Sequence, residues 1–476
     1  MFTTSEQKLI YTDSSHVVHP DLQPYSQTGL TVDTFRRMTP GLGWFTDKMF
    51  YEHLIELNHT DRSISKPRTF KLTIDPILNL TMGKDMADST GKKIYTNTRG
   101  FILKGALGTH IEFESAFLEN QSVLPDYLAH YADSTAIIPG QGRWKTFKKN
   151  GYDYATAYGV LQIRAGKHLR IRLGHGKQKN GFGYRSLLLS DNAMNYPYIQ
   201  FIANFMNGKL EYSQTYAMLM NLKSTANAVP GIEDIYQKKA ASFQQLSFHP
   251  NKHFDAYLFQ GLIAGATDSN YNSKLDAYYA NPIIFTNLAH YGFNQASHIL
   301  VGGGFEFRPT KGFWMYGQFA YDGSNTIGSN SGVQAGIKLF DLFKVKNLFF
   351  QVEVNRLYGS IYYNNTYFAE NYTHYQQTLT TPAIFPTEAI GILSWSHKRF
   401  FIQAKGNFST PQQSNFTEFS AYADGKIGYM INPKYKLNIS LGTTVREFAK
   451  PMEKTQKMEL FYISLRTSLY NLYYDF

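Results

Sequence analysis

The sequence holds no cysteine among its 476 residues. That excludes a disulfide framework, thiolate metal sites, a cysteine nucleophile and a lipid-modified N-terminal cysteine. Tryptophan is scarce, at four residues. No uninterrupted apolar run approaches the ~20 residues that a membrane helix requires. Basic charge is in excess, with 47 Lys and Arg against 36 Asp and Glu for a net charge of +11, but it never forms a run of five. Nucleic-acid binders gather such charge on one face or stripe. The dispersed excess suits a surface near anionic lipid headgroups instead, and no nucleic-acid partner is expected. The opening residues, MFTTSEQKLIYTDSS, lack the apolar core of a secretion signal. An export signal is therefore expected to have been removed from this numbering.

What is present in excess is Tyr and Phe, 35 and 36 residues. Tyr favours sites where one end of the ring is apolar and the other is wet. The second abundant feature is a period of two, from about residue 70 onward. In NLFFQVEVNRLYG, Leu348, Phe350, Val352 and Val354 share one face, and Gln351, Glu353 and Asn355 the other. KLNISLGTTVREF places Leu437, Ile439, Leu441 and Val445 opposite Asn438, Ser440, Thr444 and Arg446. Such alternation over about ten residues is a strand with one greasy and one polar face.

The connections decide what kind of sheet this is. Strands are expected at 70–83, 94–107, 109–119, 152–166, 168–176, 198–207, 209–220, 238–249, 252–266, 299–309, 312–322, 332–341, 347–358, 387–396, 399–409, 417–430, 435–448 and 458–476. Their links alternate between tight turns, such as Gly108, Asn207-Gly208 and HPNKH, and long loops, such as 120–151, 177–197, 267–298 and 359–386. Tight turns at one end and long loops at the other mark an up-and-down membrane barrel. The expected fold is therefore all-β: a transmembrane up-and-down antiparallel β-barrel of about 18 strands over 70–476. Residues 1–69 are polar, with helix-like patches around TVDTFRRM and DKMFYEHLIEL, where Leu54 and Ile55 fit a helical face. They read as a short N-terminal helical segment on the periplasmic side or within the lumen. In SLYNLYYDF, residues Tyr470, Leu472, Tyr474 and Phe476 share one face and read as a membrane-insertion signal on the final strand.

The stretch GHGKQKNGFGYRSLLLSDNAMNYPY, residues 174–198, invites chemistry. It lacks the Gly-Lys-Ser/Thr ending of a phosphate-binding loop. Ser190 and Asp191 have no Gly-x-Ser-x-Gly around them, and SDNA reads as a turn. Gly174, Gly176, Gly181 and Gly183 suit a strand end that bends sharply inward at a barrel rim. Fourteen histidines form no HExxH or comparable ligand spacing. Catalytic residues, metal ligands and cofactors are thus all expected to be absent, and the protein is expected not to be an enzyme. Alternation turns Glu112, Glu114, Glu353 and Asp424 toward the lumen, with Arg164, Arg170, Arg172, Lys338, Lys405 and Arg446. Such charges either pair across the interior or set pore selectivity.

The Tyr- and Asn-rich loops supply the candidate binding residues, since aromatic faces stack on sugar rings and amides bond hydroxyls. Together with the glycine-rich stretch they give Tyr184, Arg185, Asp191, Asn192, Tyr196, Tyr279, Asn281, Tyr372, His374 and Tyr375 as contacts to a glycan or to a lumen plug.

The 174–198 run resembles a family of bacterial outer-membrane barrels associated with gliding motility and the cell surface. HPDLQPY at 19–25, YTNTRGFILKGALG at 95–108, ENQSVLPDY at 119–127, YANPIIF at 279–285 and NYTHYQQTL at 371–379 fit the same family. More distantly, the Gly-Tyr-x-Ser-Leu-Leu-Leu-Ser-Asp-Asn segment is similar to the capsule-assembly outer-membrane lectin family, from which Lys179-Asn180 departs. The resemblance implies an 18-stranded barrel in the bacterial outer membrane with no catalytic residues. The partners expected are outer-membrane lipid and lipopolysaccharide, other outer-membrane or periplasmic proteins, and surface polysaccharide. The functions expected are an interaction subunit of a gliding or secretion machine, a polysaccharide-binding lectin, or a porin.

Overall fold

A computed structural model of the chain describes residues 52–61, 68–224, 236–265, 277–293, 297–323, 330–363, 371–382, 385–411, 418–450, 453–467 and 473–476. Eighteen strands form the wall. They are β1 (Arg68–Asp85), β2 (Lys93–Leu107), β3 (Ile111–Val123), β4 (Gly151–Ala165), β5 (Leu169–Gly176) and β6 (Tyr196–Phe205). Then come β7 (Leu210–Ser224), β8 (Tyr236–Asn251), β9 (Phe254–Gly265), β10 (Ser297–Phe307), β11 (Phe313–Asp322) and β12 (Asn330–Phe340). The last six are β13 (Leu348–Tyr358), β14 (Thr387–His397), β15 (Phe400–Thr410), β16 (Phe419–Asn432), β17 (Leu437–Ala449) and β18 (Gln456–Arg466). Each pairs antiparallel with its sequence neighbours, and β18 returns to β1 through the register Asn79↔Arg466 to Asp85↔Leu460. The sheet is thereby closed, which removes its edges.

The burial pattern is inverted relative to a soluble barrel. Outward positions carry exposed apolar side chains, among them Phe101, Phe117, Leu258, Phe319, Val354, Ile427, Leu441 and Phe461. Inward positions carry buried polar ones, among them Asn120, Gln162, Gln318, Gln334, Glu353, Glu388, Asn407 and Ser440. Water favours the opposite arrangement, because exposing apolar area costs ~25 cal/mol per Å². Hydrocarbon around the wall reverses the sign. Strands of about eleven residues at ~3.3 Å per residue, tilted as in membrane barrels, span the ~25 Å apolar band.

The charges assigned to the lumen pair there. Arg164 meets Glu112 at 2.7 Å, Arg170 meets Glu211 at 2.6 Å and Lys338 meets Glu306 at 3.1 Å. Tyr158 donates to Glu114 at 2.8 Å.

Two expectations about the chain's ends change. Residues 1–51, with TVDTFRRM and the first five residues of the second helix-like patch, lie outside the described residues. The remainder of that patch is extended: a strand at Ile55–Asp61 pairs with the start of β1, from Ile55↔Ile74 to Asp61↔Arg68. Ile55 and Leu57 are exposed on its outward face, which period two explains and a helix would not. This strand and β18 lie end to end along the same edge of β1, so two segments share the closing seam.

The final strand, expected over 458–476, ends at Arg466. Phe461 and Ile463 face outward on odd positions. At Thr467 the chain leaves the wall, exchanging hydrogen bonds with Leu78 (Thr467 N–H to the Leu78 carbonyl at 2.8 Å, Leu78 N–H to Thr467 Oγ1 at 3.1 Å). Tyr470 and Leu472 lie outside the described residues. Tyr474 and Phe476 pack inside the barrel, beside Leu124, Leu128, Ala132 and Tyr152. Tyr474 and Phe476 thus belong to a tail within the lumen and not to a lipid-facing strand.

Candidate functional site

Three segments fill the lumen, two from the end that carries the long loops and one from the chain beyond β18. The first is the loop between β5 and β6, residues 177–195. The second is part of the loop between β13 and β14, with a small hairpin at Thr373–His374 and Gln377–Thr378. The third is the tail at 473–476. Leu187, Leu188 and Leu189 of the first segment pack with Ile361, Tyr362, Tyr372 and Leu379 of the second, against Phe243, Tyr257, Phe259 and Leu300 of the wall. The helix Asp126–Thr135 covers the same end, and Phe476 sits under it at 5.5 Å from the Tyr131 ring.

The first loop turns inward where its glycines allow it. Gly181 adopts φ of +130°. At Gly183 an added Cβ would stand 2.4 Å from the Glu353 carboxylate and 2.6 Å from Gln334 Oε1. Glu353 on β13 then receives two successive backbone N–H groups, from Tyr184 at 2.6 Å and Arg185 at 3.0 Å. Gln318 on β11 accepts from Leu187 N–H at 2.6 Å, and Gln334 on β12 donates to the Arg185 carbonyl at 3.3 Å. The polar lining thus holds the loop by its backbone, which is how buried amide groups avoid the cost of lost hydration.

Arg185 joins the first segment to the tail and to the wall. Its guanidinium is fully buried and meets Glu388 of β14 at 2.8 Å and Asp475 of the tail at 3.1 Å. Tyr184 and Tyr473 stack over it, with centroids at 5.0 and 5.1 Å. Asp475 also meets Lys405 of β15 at 3.2 Å and accepts from Tyr184 Oη at 3.0 Å. Asn407 bridges Glu388 at 2.7 Å to the Asp475 carbonyl at 2.5 Å. Burial alone would raise the Asp475 carboxyl; Arg185 and Lys405 outweigh it and hold the group at about 2. Burial likewise opposes charge on Arg185, and Asp475 and Glu388 reverse that, raising its pKa above the ordinary arginine range. Arg185 and Asp475 remain ionised at every physiological pH.

Most of the sequence-derived candidates meet here. Tyr184, Arg185, Asn192, Tyr196, Tyr372 and His374 are buried in the lumen. Asn192 Nδ2 donates to the Thr378 carbonyl at 3.1 Å, and Tyr473 donates to Asp191 at 2.5 Å. His374 accepts from Met220 N–H at Nδ1 (3.0 Å) and faces the Asn195 carbonyl through Nε2 (3.2 Å), so neutral imidazole with the proton on Nε2 satisfies both. Burial and Lys239 push its pKa down to about 3. Tyr375 packs on His374 with centroids 4.7 Å apart. These residues contact one another and the wall. Tyr279 and Asn281 do not join them: Tyr279 Oη donates to the Ala241 carbonyl at 2.6 Å, and Asn281 bonds to Gln244 on the outer face of the wall. Their loop turns down the outside because β7 to β9 offer polar groups there. Glu388 and Asp475 were not singled out in the sequence. Glu388 opens a strand on its inward phase and was findable; Asp475 was hidden by the aromatic alternation around it.

Closure, inverted burial and a plug drawn from long loops define this chain as a closed antiparallel 18-strand barrel of the outer-membrane type. Among solved structures it is similar in fold to Wzi, described as an outer-membrane protein involved in group 1 capsule assembly in Escherichia coli and a carbohydrate-binding β-barrel. The two are 12% identical, with a TM-score of 0.50, over 82% of this chain and 85% of that one. OccAB2 of Acinetobacter baumannii is also similar, at 12% identity and a TM-score of 0.46, over 83% of this chain and 97% of that one. No protein-family model and no curated protein matches the sequence.

Proposed function

We propose that this protein is a non-catalytic, non-conducting barrel of the bacterial outer membrane that works by binding, as an interaction subunit of a cell-surface machine of the gliding or secretion type. The observation that carries the binding role is the Arg185 junction. A transport pathway needs a continuous polar passage. Here the lumen holds an ionised arginine that ties its own loop to the tail and to wall strand β14, with Leu187 to Leu189 packed beside it. The segments resembling gliding-type barrels give the machine class. In planar bilayers the purified protein is expected to give no conductance steps; regular steps from the unaltered chain would overturn the reading. Extraction in mild detergent is expected to recover stoichiometric protein partners, and a barrel that emerges alone would remove the subunit role.

A second reading, binding of surface polysaccharide, draws on the fold shared with the carbohydrate-binding Wzi. The burial of Tyr184, Tyr196, Tyr372 and His374 leaves those residues to the plug and moves any sugar contact to the loop surfaces. Its test is a rise in melting temperature with the producing cell's own exopolysaccharide and none with unrelated glycans.

A further inference from the structure

Charges on the outer face of the wall stand opposite charges of the other sign at two places. Glu447 of β17 faces Lys457 of β18 and meets it at 3.3 Å. Arg99 of β2 faces Glu119 of β3. At a third place the signs agree: Lys84 of β1 stands directly opposite Lys93 of β2. Lys84 shares its phase with the exposed Leu80 and Met82, and Lys93 shares its phase with the exposed Phe101, so both lysines point away from the lumen, and both are exposed. Like charges directly opposite one another destabilise a sheet. An anion held between them reverses the sign.

The acids around the pair are engaged elsewhere. Asp85 is buried on the inward phase and accepts from the Ala87 and Glu459 N–H groups at 3.0 and 2.9 Å. Asp88 accepts from the backbone and hydroxyl of Thr90 at 2.8 and 2.7 Å, and Asp126 meets Lys92 at 3.0 Å. Glu459 is exposed beside Met86, to whose N–H its carbonyl is bonded at 2.8 Å. The neighbouring sector adds further positive charge. A short strand, Lys145–Phe147, pairs with the start of β4 and sets Lys145 opposite Asp153. Arg143, Lys145, Lys148 and Lys149 are all exposed there, and Arg143 and Lys148 lie over the rings of Tyr236 and Phe147.

We propose that the rim of β1 to β4 at the long-loop end is a binding site for lipopolysaccharide, in which Lys84 and Lys93 hold a phosphate of its lipid A and the apolar face below them takes its acyl chains. Long loops lie on the extracellular side of such barrels, so the lysines stand at the level of the outer leaflet's headgroups. Met82, Leu80 and Phe101 continue the same face into the hydrocarbon. The ligand that fits is an amphiphile with an anionic head; a free surface polysaccharide brings the anion without the chains. The inference rests on the placement of the barrel in the outer membrane and on nothing in the lumen, so it stands or falls apart from the subunit role.

The test weighs the purified full chain by native mass spectrometry in mild detergent with diphosphoryl lipid A. The expected result is retained lipid A, with affinity lowered roughly thirtyfold in Lys84→Gln/Lys93→Gln, at about fivefold for each lysine beside an anionic headgroup. Lys344→Gln/Lys346→Gln, exposed at a tight turn on the opposite rim, should bind as the unaltered chain does. Three results would overturn the proposal. Dephosphorylated lipid A retained as well as the diphosphoryl form means apolar contact alone. Phosphatidylglycerol retained as well means any anionic phospholipid. Equal loss in both lysine pairs means net charge alone. Undiminished binding by Lys84→Gln/Lys93→Gln, with the heat-dependent gel migration of a closed barrel, rejects this rim as the site. Fractionation of the producing cells tests the location separately: a chain recovered outside the outer membrane removes the location and the site with it.

Discussion

Arg185 carries a full charge where no water reaches it, and everything that compensates it comes from other parts of the chain. Breaking a buried ion pair from one side leaves the partner's charge unpaired and costs ~3–5 kcal/mol. Arg185→Ala is therefore expected to free the tail and the 177–195 loop while leaving the wall intact, read as faster hydrogen exchange at Tyr184–Leu189 with unchanged barrel strands. Arg185→Lys should not restore protection, because an ammonium cannot span Glu388 and Asp475 with the fork of a guanidinium. His374 predicts a pH effect. Its folded pKa lies near 3, below the ordinary 6.5, so below pH 6.5 the undocked segment takes up a proton that the docked one refuses. Stability of the 371–382 segment is full above pH 6.5 and falls progressively toward pH 3. Protease protection of that segment over this range, compared between the unaltered chain and His374→Gln, checks it; equal acid sensitivity in the two would remove the histidine as cause.

At the level of elements, the wall strands were legible because lipid outside and polar packing inside impose a strict period of two on each of them. Expected and observed strands agree to within a few residues from β1 to β17. The interior was less legible. Loops have no periodicity, so nothing in NPIIFTNLAHYGF announces that it returns along the outer wall. The tail misled for a different reason: Tyr474 and Phe476 alternate with polar residues as a strand would, yet they serve a packed cluster in the lumen. A deletion of 468–476 separates the two roles. Since β18 pairs with β1 up to Arg466, the shortened chain is expected to insert and to keep the heat-dependent gel migration of a closed barrel, with its plug loosened. Failure to insert would restore the terminal aromatics to the wall.

For the whole molecule, the plug and the wall are parts of one ionic and hydrogen-bonded framework, with Glu353, Glu388 and Lys405 facing inward from three consecutive strands to hold segments that arrive from elsewhere. Loosening that framework should change permeability before it changes stability of the cylinder. Arg185→Ala combined with removal of 468–476 is expected to give intermittent conductance in planar bilayers, against silence from the unaltered chain. Continued silence would mean that the hydrophobic packing of Leu187–Leu189 suffices to seal the lumen by itself.

The seam has one consequence for biogenesis. Both segments that complete the edge of β1 are distant in sequence from one another, Ile55–Asp61 early and Gln456–Arg466 late. A nascent polypeptide interrupted before residue 456 would present the upper half of β1 as a bare hydrogen-bonding edge, so the junction doubles as a checkpoint at which only chains that reach β18 can be sealed.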